Sequence, residues 1–166
     1  MDATINEKPV TPREGKSVEI QALWYNALRI IQVLAKRNGQ KREAEEYGLL
    51  AEKAYESFNR KFWNSQKDSL FDVIYDGQGE SSLRPNQVFT VSLDFPILDE
   101  TRREKVVDIL WRELWSTYGL RTLSDDDPQY KGRYEGGFSE RDAAYHNGTV
   151  WPWLTGPFVT AILKVC

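Results

Sequence analysis

The chain has one cysteine, one histidine and one methionine in 166 residues, and each scarcity closes off a class of chemistry. The cysteine is Cys166, the last residue, so neither an internal disulfide nor a thiolate metal cage is expected, and a cytoplasmic setting follows. With a single histidine and scattered carboxylates there is no metal-ligand spacing, and no metal or cofactor is expected. Positive charge is not in excess. The net charge is −3 and the isoelectric point about 5.3, with no basic stripe to neutralise phosphates, which argues against nucleic acid. No apolar run is long enough to span a bilayer and no signal peptide opens the chain, so no membrane partner is expected.

Aromatic residues are abundant at 13%, as a carbohydrate site or a large helical core would require. The stretch RDAAYHNGTVWPWLTGPF, from Arg141 to Phe158, concentrates them around the one histidine. Tyr145, His146, Asn147, Trp151 and Trp153 offer flat apolar faces with polar edges, the surface that suits a sugar ring. The plainer reading of the same residues is a helix start with core tryptophans. Gly148 permits a close turn, Thr149 is placed to cap a helix, and Pro152 fits that helix's first turn.

Along the chain, residues 1–16 carry two prolines and a glycine without helical period and read as a loop whose ionisable groups of note are Asp2, Lys8, Arg13 and Lys16. Ser17 to Arg37 predicts a helix capped by Ser17 and apolar almost all round, hence buried on most sides. Its polar stripe is Glu19, Asn26 and Arg29, with Glu19 suited either to the helix dipole or to a ligand. Gln40 to Phe62 predicts an amphipathic outer helix. A hairpin is expected between Trp63 and Asp76, then a short inner helix over 87–95 with Arg84 and Asn86 at its mouth. Another outer helix is expected from the cap Asp99 to about Tyr118, with Trp111 on its buried side. Ser124 to Asn147 reads as a long irregular stretch of the kind that is usually functional. A final helix is expected over Thr149 to Lys164. Alternating buried and amphipathic helices imply an inner and an outer layer.

These segments resemble the C-terminal glucosidase domain of glycogen debranching enzymes of the archaeal and bacterial type. The stretches that carry the resemblance are MDA, TPREGKSVEIQALWYNAL, LRPNQ, GLRTLS, DPQYKGRY and RDAAYHNGTVWPWLTGPF, collinear over nearly the whole chain. The resemblance implies an all-α fold, part of an (α/α)6 toroid with about half its helices, long loops and a short β element. Residues 1–166 would form a partial domain. Half a toroid exposes apolar faces, so self-association is expected.

The activity so implied is inverting hydrolysis of α-1,6-linked glucose at branch points of glycogen or a related α-glucan. That mechanism uses one carboxylic acid on the leaving oxygen and a carboxylate roughly 6.5–9.5 Å away to activate water. Asp2 matches the family's general acid, without the tryptophan that precedes it there. The family's base lies beyond the YH-G-W-W stretch, past Cys166, and is assigned to no residue here. The resemblance further implies substrate contacts at Glu19, Trp24, Arg84, Asn86, Arg141, His146, Trp151 and Trp153. Asn147 replaces the family's usual glutamine, which shortens a contact to the sugar. Noncatalytic carbohydrate binding and helical assembly are the alternatives that need no second carboxylate.

Overall fold

A computed structural model describes residues 3–166, so the expectation attached to Asp2 lies outside the described residues. The N-terminal stretch is more ordered than a loop. Strands β1 (Thr4–Ile5) and β2 (Lys8–Pro9) pair as a hairpin, and β3 (Lys16–Ser17) leads into α1 (Val18–Arg37). Ser17 stands extended at the N-cap, Glu19 occupies the first turn, and Lys36 and Arg37 occupy the last, each sign where the helix dipole favours it. Gly39, at φ +74°, ends the helix. Its N–H bonds to the Lys36 carbonyl and that of Gln40 to Ala35, a Schellman closure that only a residue at ease with positive φ makes cheaply. The turn is short, so α2 (Lys41–Lys61) runs back antiparallel along α1.

The expected hairpin is two. Strand β4 (Trp63–Asn64) pairs with β5 (Ser69–Leu70), and β6 (Val73–Tyr75) with β7 (Gln78–Glu80). Strand β6 also pairs with β3 in the register Lys16 to Ile74 and Ser17 to Val73. That long-range pairing brings Asp72 to the start of α1. The expected helix over 87–95 is shorter than read: a 3-10 turn over Pro85–Val88 continues into α3 (Phe89–Ser92) and stops. Pro96 disfavours a helical conformation at Phe95, and the Phe95 N–H is taken instead by Asn26 Oδ1 at 3.0 Å.

Helix α4 (Glu100–Ile109) is capped by Asp99, whose carboxylate accepts the Thr101 N–H at 3.0 Å. It passes through a π turn at Leu110–Leu114 and ends there, short of Tyr118. The reason is β pairing: β8 (Trp115–Ser116) folds onto β9 (Gly119–Arg121). Trp111 is half exposed, not buried, and stacks on Trp115 at 5.7 Å and Phe158 at 6.2 Å. The stretch expected to be irregular holds α5 (Phe138–Tyr145), whose first turn is closed by the Glu140 carboxylate reaching back to the Gly137 N–H.

Strand β10 (Val150–Trp151) joins β9, Val150 facing Arg121 and Trp151 facing Leu120. Thr149 therefore does not cap a helix; its hydroxyl donates to the Ala144 carbonyl at 2.9 Å. A 3-10 turn over Pro152–Leu154 begins with Pro152 and hands over to α6 (Thr155–Val165).

Helices α1, α3 and α6 follow one another in one layer, with α2 and α4 behind them. The core between them is one cluster, including Val18, Ala22, Leu28, Val88, Leu98, Leu110, Leu114 and Phe158, all essentially without solvent contact. Each such leucine contributes about 1.5–3 kcal/mol by its burial. The outer layer is keyed to the loop before α4 by Asn59, which donates to the Ile97 carbonyl at 2.8 Å and accepts the Asp99 N–H at 2.8 Å. Helix α1 is not buried on most sides: Val18, Ala22, Tyr25, Leu28 and Ala35 face the core, while Ile20, Leu23, Trp24, Ile30, Ile31 and Leu34 face solvent.

Candidate functional site

Four chain segments meet at the N-terminal end of α1. They are the loop carrying Arg13, the link between β5 and β6 carrying Asp72, the turn at Arg84 to Asn86, and the end of α5 with the strand that follows. Together they enclose a cavity of about 340 Å³ lined by Arg13, Pro85, Asn86, Thr122, Tyr145, His146, Trp151, Trp153 and Leu154. That volume lies in the roughly 300–1,000 Å³ range of small-molecule sites. Its walls are aromatic. Tyr145 stands edge-on to His146 at 4.8 Å and to Trp151 at 4.9 Å, and Trp153, 60% exposed, stacks on Phe89 at 5.9 Å.

Behind the walls lies a buried network of four charges. Arg13 Nε and Nη2 donate to the two carboxylate oxygens of Asp72 at 2.6 and 2.9 Å, and its other edge bonds both oxygens of Glu19. Asp72 is 3% exposed and Arg84 4%. Arg84 Nε stands 3.9 Å from Asp72, while its terminal nitrogens donate to the carbonyls of Thr122 at 3.2 Å and His146 at 2.6 Å and to Asn147 Oδ1 at 3.2 Å. Two arginines and two carboxylates sum to zero, which is what makes so much buried charge tolerable.

Burial acts on Arg13, Asp72 and Arg84. It pulls the Arg13 guanidinium down, but the hydrogen bonds that it donates to Glu19 and the charge of Asp72 reverse this and hold it above the ordinary arginine value. Burial lowers Arg84 and raises Asp72, in the latter case against the opposing pull of Arg13 and Arg84.

The turn after α5 is fastened to this network. Gly148 has φ +146°, and a Cβ there would sit 2.2 Å from the Lys131 carbonyl oxygen. Its N–H bonds to Thr122 Oγ1 at 2.8 Å. Only glycine lets residues 146–149 pass so close to 131 and carry His146 and Trp151 to the cavity.

Of the residues singled out from sequence, the fold brings Asn86, His146, Trp151 and Trp153 together around the cavity. Glu19 lies behind it, tied to Arg13, and Arg84 is a buried strut. Trp24 is elsewhere, over a separate cavity of about 570 Å³ between α1, α2 and the β6–β7 hairpin. Arg141 is exposed on α5 and does not line the cavity. Asn147 is buried and turned inward, accepting from Thr11 and Arg84 and donating to Ala143, so it makes no contact available to a sugar.

Asp72 went unsignalled, because a carboxylate inside a hairpin sequence looks like a turn residue, and Thr122 of GLRTLS gave no sign of its own that it would reach the cavity. Arg13 stood in the quoted TPREG stretch, but only its long-range partners show why an arginine belongs there. Among the described residues no group of three or more His, Cys, Asp or Glu side chains is placed to hold a metal ion. Among the same residues no helix is long and apolar enough to cross a membrane.

Layered antiparallel helices opening at one end on an aromatic pocket define a mostly helical protein, part of a six-hairpin toroid. The chain belongs to the amylo-alpha-1,6-glucosidase family, whose model matches residues 1–166. It is similar to the glycogen debranching enzyme of Saccharomyces cerevisiae, at 25% identity over 190 aligned residues that cover 92% of this chain and 12% of that protein. The chain thus spans a small part of that relative's length. A solved sialidase structure shares the fold, with a TM-score of 0.73 at 16% identity over 96% of this chain and 14% of that one.

Proposed function

We propose that residues 1–166 are part of one cytoplasmic glucosidase domain, and that the cavity at the head of α1 receives the glucose attached by an α-1,6 bond at a branch point of glycogen or a related glucan. The observation that carries this reading is the pairing of aromatic walls, Tyr145, Trp151 and Trp153, with polar edges from Arg13, Asn86 and His146 in one pocket. A pyranose presents C–H faces to aromatic rings and hydroxyls to hydrogen-bonding groups, and this lining offers both. Family membership supplies the reaction class.

In the proposed mechanism the sugar stacks on the tryptophans while Asn86 and His146 orient its hydroxyls. Asp2 protonates the departing glycosidic oxygen, and a second carboxylate, assigned to no residue of this chain, takes a proton from the water that attacks the opposite face. Arg13 is held by Glu19 and Asp72 so that its position does not depend on substrate. The experiment is glucose release from a branched dextrin by the polypeptide that carries this chain, compared with its Asp2→Asn variant. Loss of release with retained glucan binding is expected; undiminished hydrolysis would remove Asp2 from the mechanism.

A second reading is favoured by one feature: among the described residues the cavity lining contains no carboxylate. On that reading the pocket binds glucan without turnover. Maltooligosaccharides or isomaltose should then quench tryptophan fluorescence of the chain, and Trp153→Ala should weaken the affinity. One lost ring contact is worth about 0.5–1.5 kcal/mol, a factor of roughly 2–13 in Kd. An unchanged spectrum at saturating sugar would count against both readings, whereas quenching without glucose release selects the second.

A further inference from the structure

Tyr145 lines two cavities. One is the pocket at the head of α1; the other, of about 310 Å³, is lined also by Ala3, Thr4, Tyr134, Phe138 and Asp142. Phe138, Asp142 and Tyr145 follow one another on α5 at intervals of four and three residues, which sets them on one side of that helix. Strand β1 packs against the same helix and brings Thr4, with Ala3 just before it. Tyr134 comes from the loop that leads into α5 and tilts against Tyr145, the ring centroids 6.1 Å apart.

The chemistry of this lining suits a second sugar. Tyr134 is 50% exposed and Phe138 78%, so both rings keep much of their area for the cavity. Asp142 is half-buried, and among the described residues its carboxylate takes part in no hydrogen bond or ion pair. An apolar segment laid over the cavity would seal off that carboxylate without a partner, at a high desolvation cost. A pyranose would not: its C–H faces cover the rings and its hydroxyls donate to the carboxylate.

Position selects which sugar. Hydrolysis of the branch breaks the bond from C1 of its glucose to O6 of a main-chain glucose; the oxygen of water joins C1, and O6 takes the proton of the acid. The leaving sugar therefore adjoins both the glucose pocket and the acid. The second cavity meets both conditions: it shares Tyr145 with the pocket, and Ala3 in its lining is the chain neighbour of Asp2, the proposed acid. We propose that Tyr134, Phe138 and Asp142 hold the main-chain glucose whose O6 is the leaving oxygen, so that this cavity recognises the glucan from which the branch is cut. The inference rests on the reading of the first cavity as the glucose pocket.

The test compares two substrates of the polypeptide that carries this chain. A branched dextrin has a main-chain glucose as its leaving group, whereas α-D-glucosyl fluoride releases fluoride and leaves the second cavity empty. Phe138→Ala and, separately, Tyr134→Ala should each lower the ratio of kcat/KM for the dextrin to kcat/KM for the fluoride by about 2–13-fold, the worth of one ring contact. Asp142→Asn should lower it too, by weakening a charge-assisted hydrogen bond. Taking the ratio cancels any damage that a variant does to the fold or to the glucose pocket, since both substrates share it. A ratio unchanged in all three variants, whether neither substrate is affected or both are equally, would overturn the proposal while leaving the glucosidase reading in place. A wild-type polypeptide that hydrolyses neither substrate would overturn the glucosidase reading and this inference with it.

Discussion

Replacing Asp72 by asparagine tests whether the buried quartet holds the pocket together. The substitution keeps the shape of the side chain but turns a neutral cluster into one with net positive charge. Asp72 has 2% of its side chain exposed, so solvent screening does little to soften the change. It accepts from Arg13 Nε and Nη2 and stands 3.9 Å from Arg84. An amide nitrogen in place of one oxygen would face an arginine N–H with a second donor. Breaking a buried ion pair by removing one partner costs about 3–5 kcal/mol. In a chain of this length each kcal/mol corresponds to about 2–4 °C, so Tm should fall by roughly 6–20 °C. Urea unfolding followed by circular dichroism would measure the loss, and the double variant Asp72→Asn with Arg84→Met would recover part of it by removing the uncompensated cation. A loss below about 1 kcal/mol would refute the reasoning, because it would mean that water reaches the network and the charges behave like surface pairs.

Three further outcomes follow from the packing. Leu110→Ala, at a fully buried position between α4 and the core, should cost about 2–5 kcal/mol in the same unfolding assay. Gly148→Ala should cost more than about 1 kcal/mol and also abolish the sugar-dependent fluorescence change, since its Cβ would strike the Lys131 carbonyl and displace the His146 turn. Asp99→Ala should cost about 1 kcal/mol at neutral pH by uncapping α4. The hydrogen bond from Thr101 holds the Asp99 carboxyl below its ordinary value, so its contribution is present above the unfolded value of 3.8 and disappears as pH falls through the lower folded one. Stability of wild type and Asp99→Ala should therefore converge in acid; a gap that persists there would assign the effect to something other than the ionised cap.

Helices with strong local signals were legible before folding. Ser17 and Glu19 mark the start of α1, Lys36, Arg37 and Gly39 its end, and Asp99 the start of α4, because capping and dipole effects act over a single turn. The rings that line the cavity, Tyr145, His146, Trp151 and Trp153, were concentrated in one readable stretch. What was misread depends on partners far away in the chain. The helix expected to reach Tyr118 gives way to β8 because Trp115 pairs with Leu120, and the helix expected from Thr149 starts later because Val150 and Trp151 pair with β9. Short strands of two or three residues have no period of their own to announce them.

By itself, then, the amino-acid sequence determined the ends of α1, the start of α4 and the residue types available to a sugar site. Only the tertiary structure decided which of them share a pocket. Trp24 and Trp151 are alike in sequence terms, yet α1 turns the first away over another cavity while β10 turns the second inward. Asp72 becomes the counterion of two arginines only because β6 pairs with β3, 58 residues apart at Lys16 and Ile74. Periodicity records the face that a residue occupies on its own element; which faces meet is set by long-range packing, where the cost of closing the chain is repaid by buried area and matched charge.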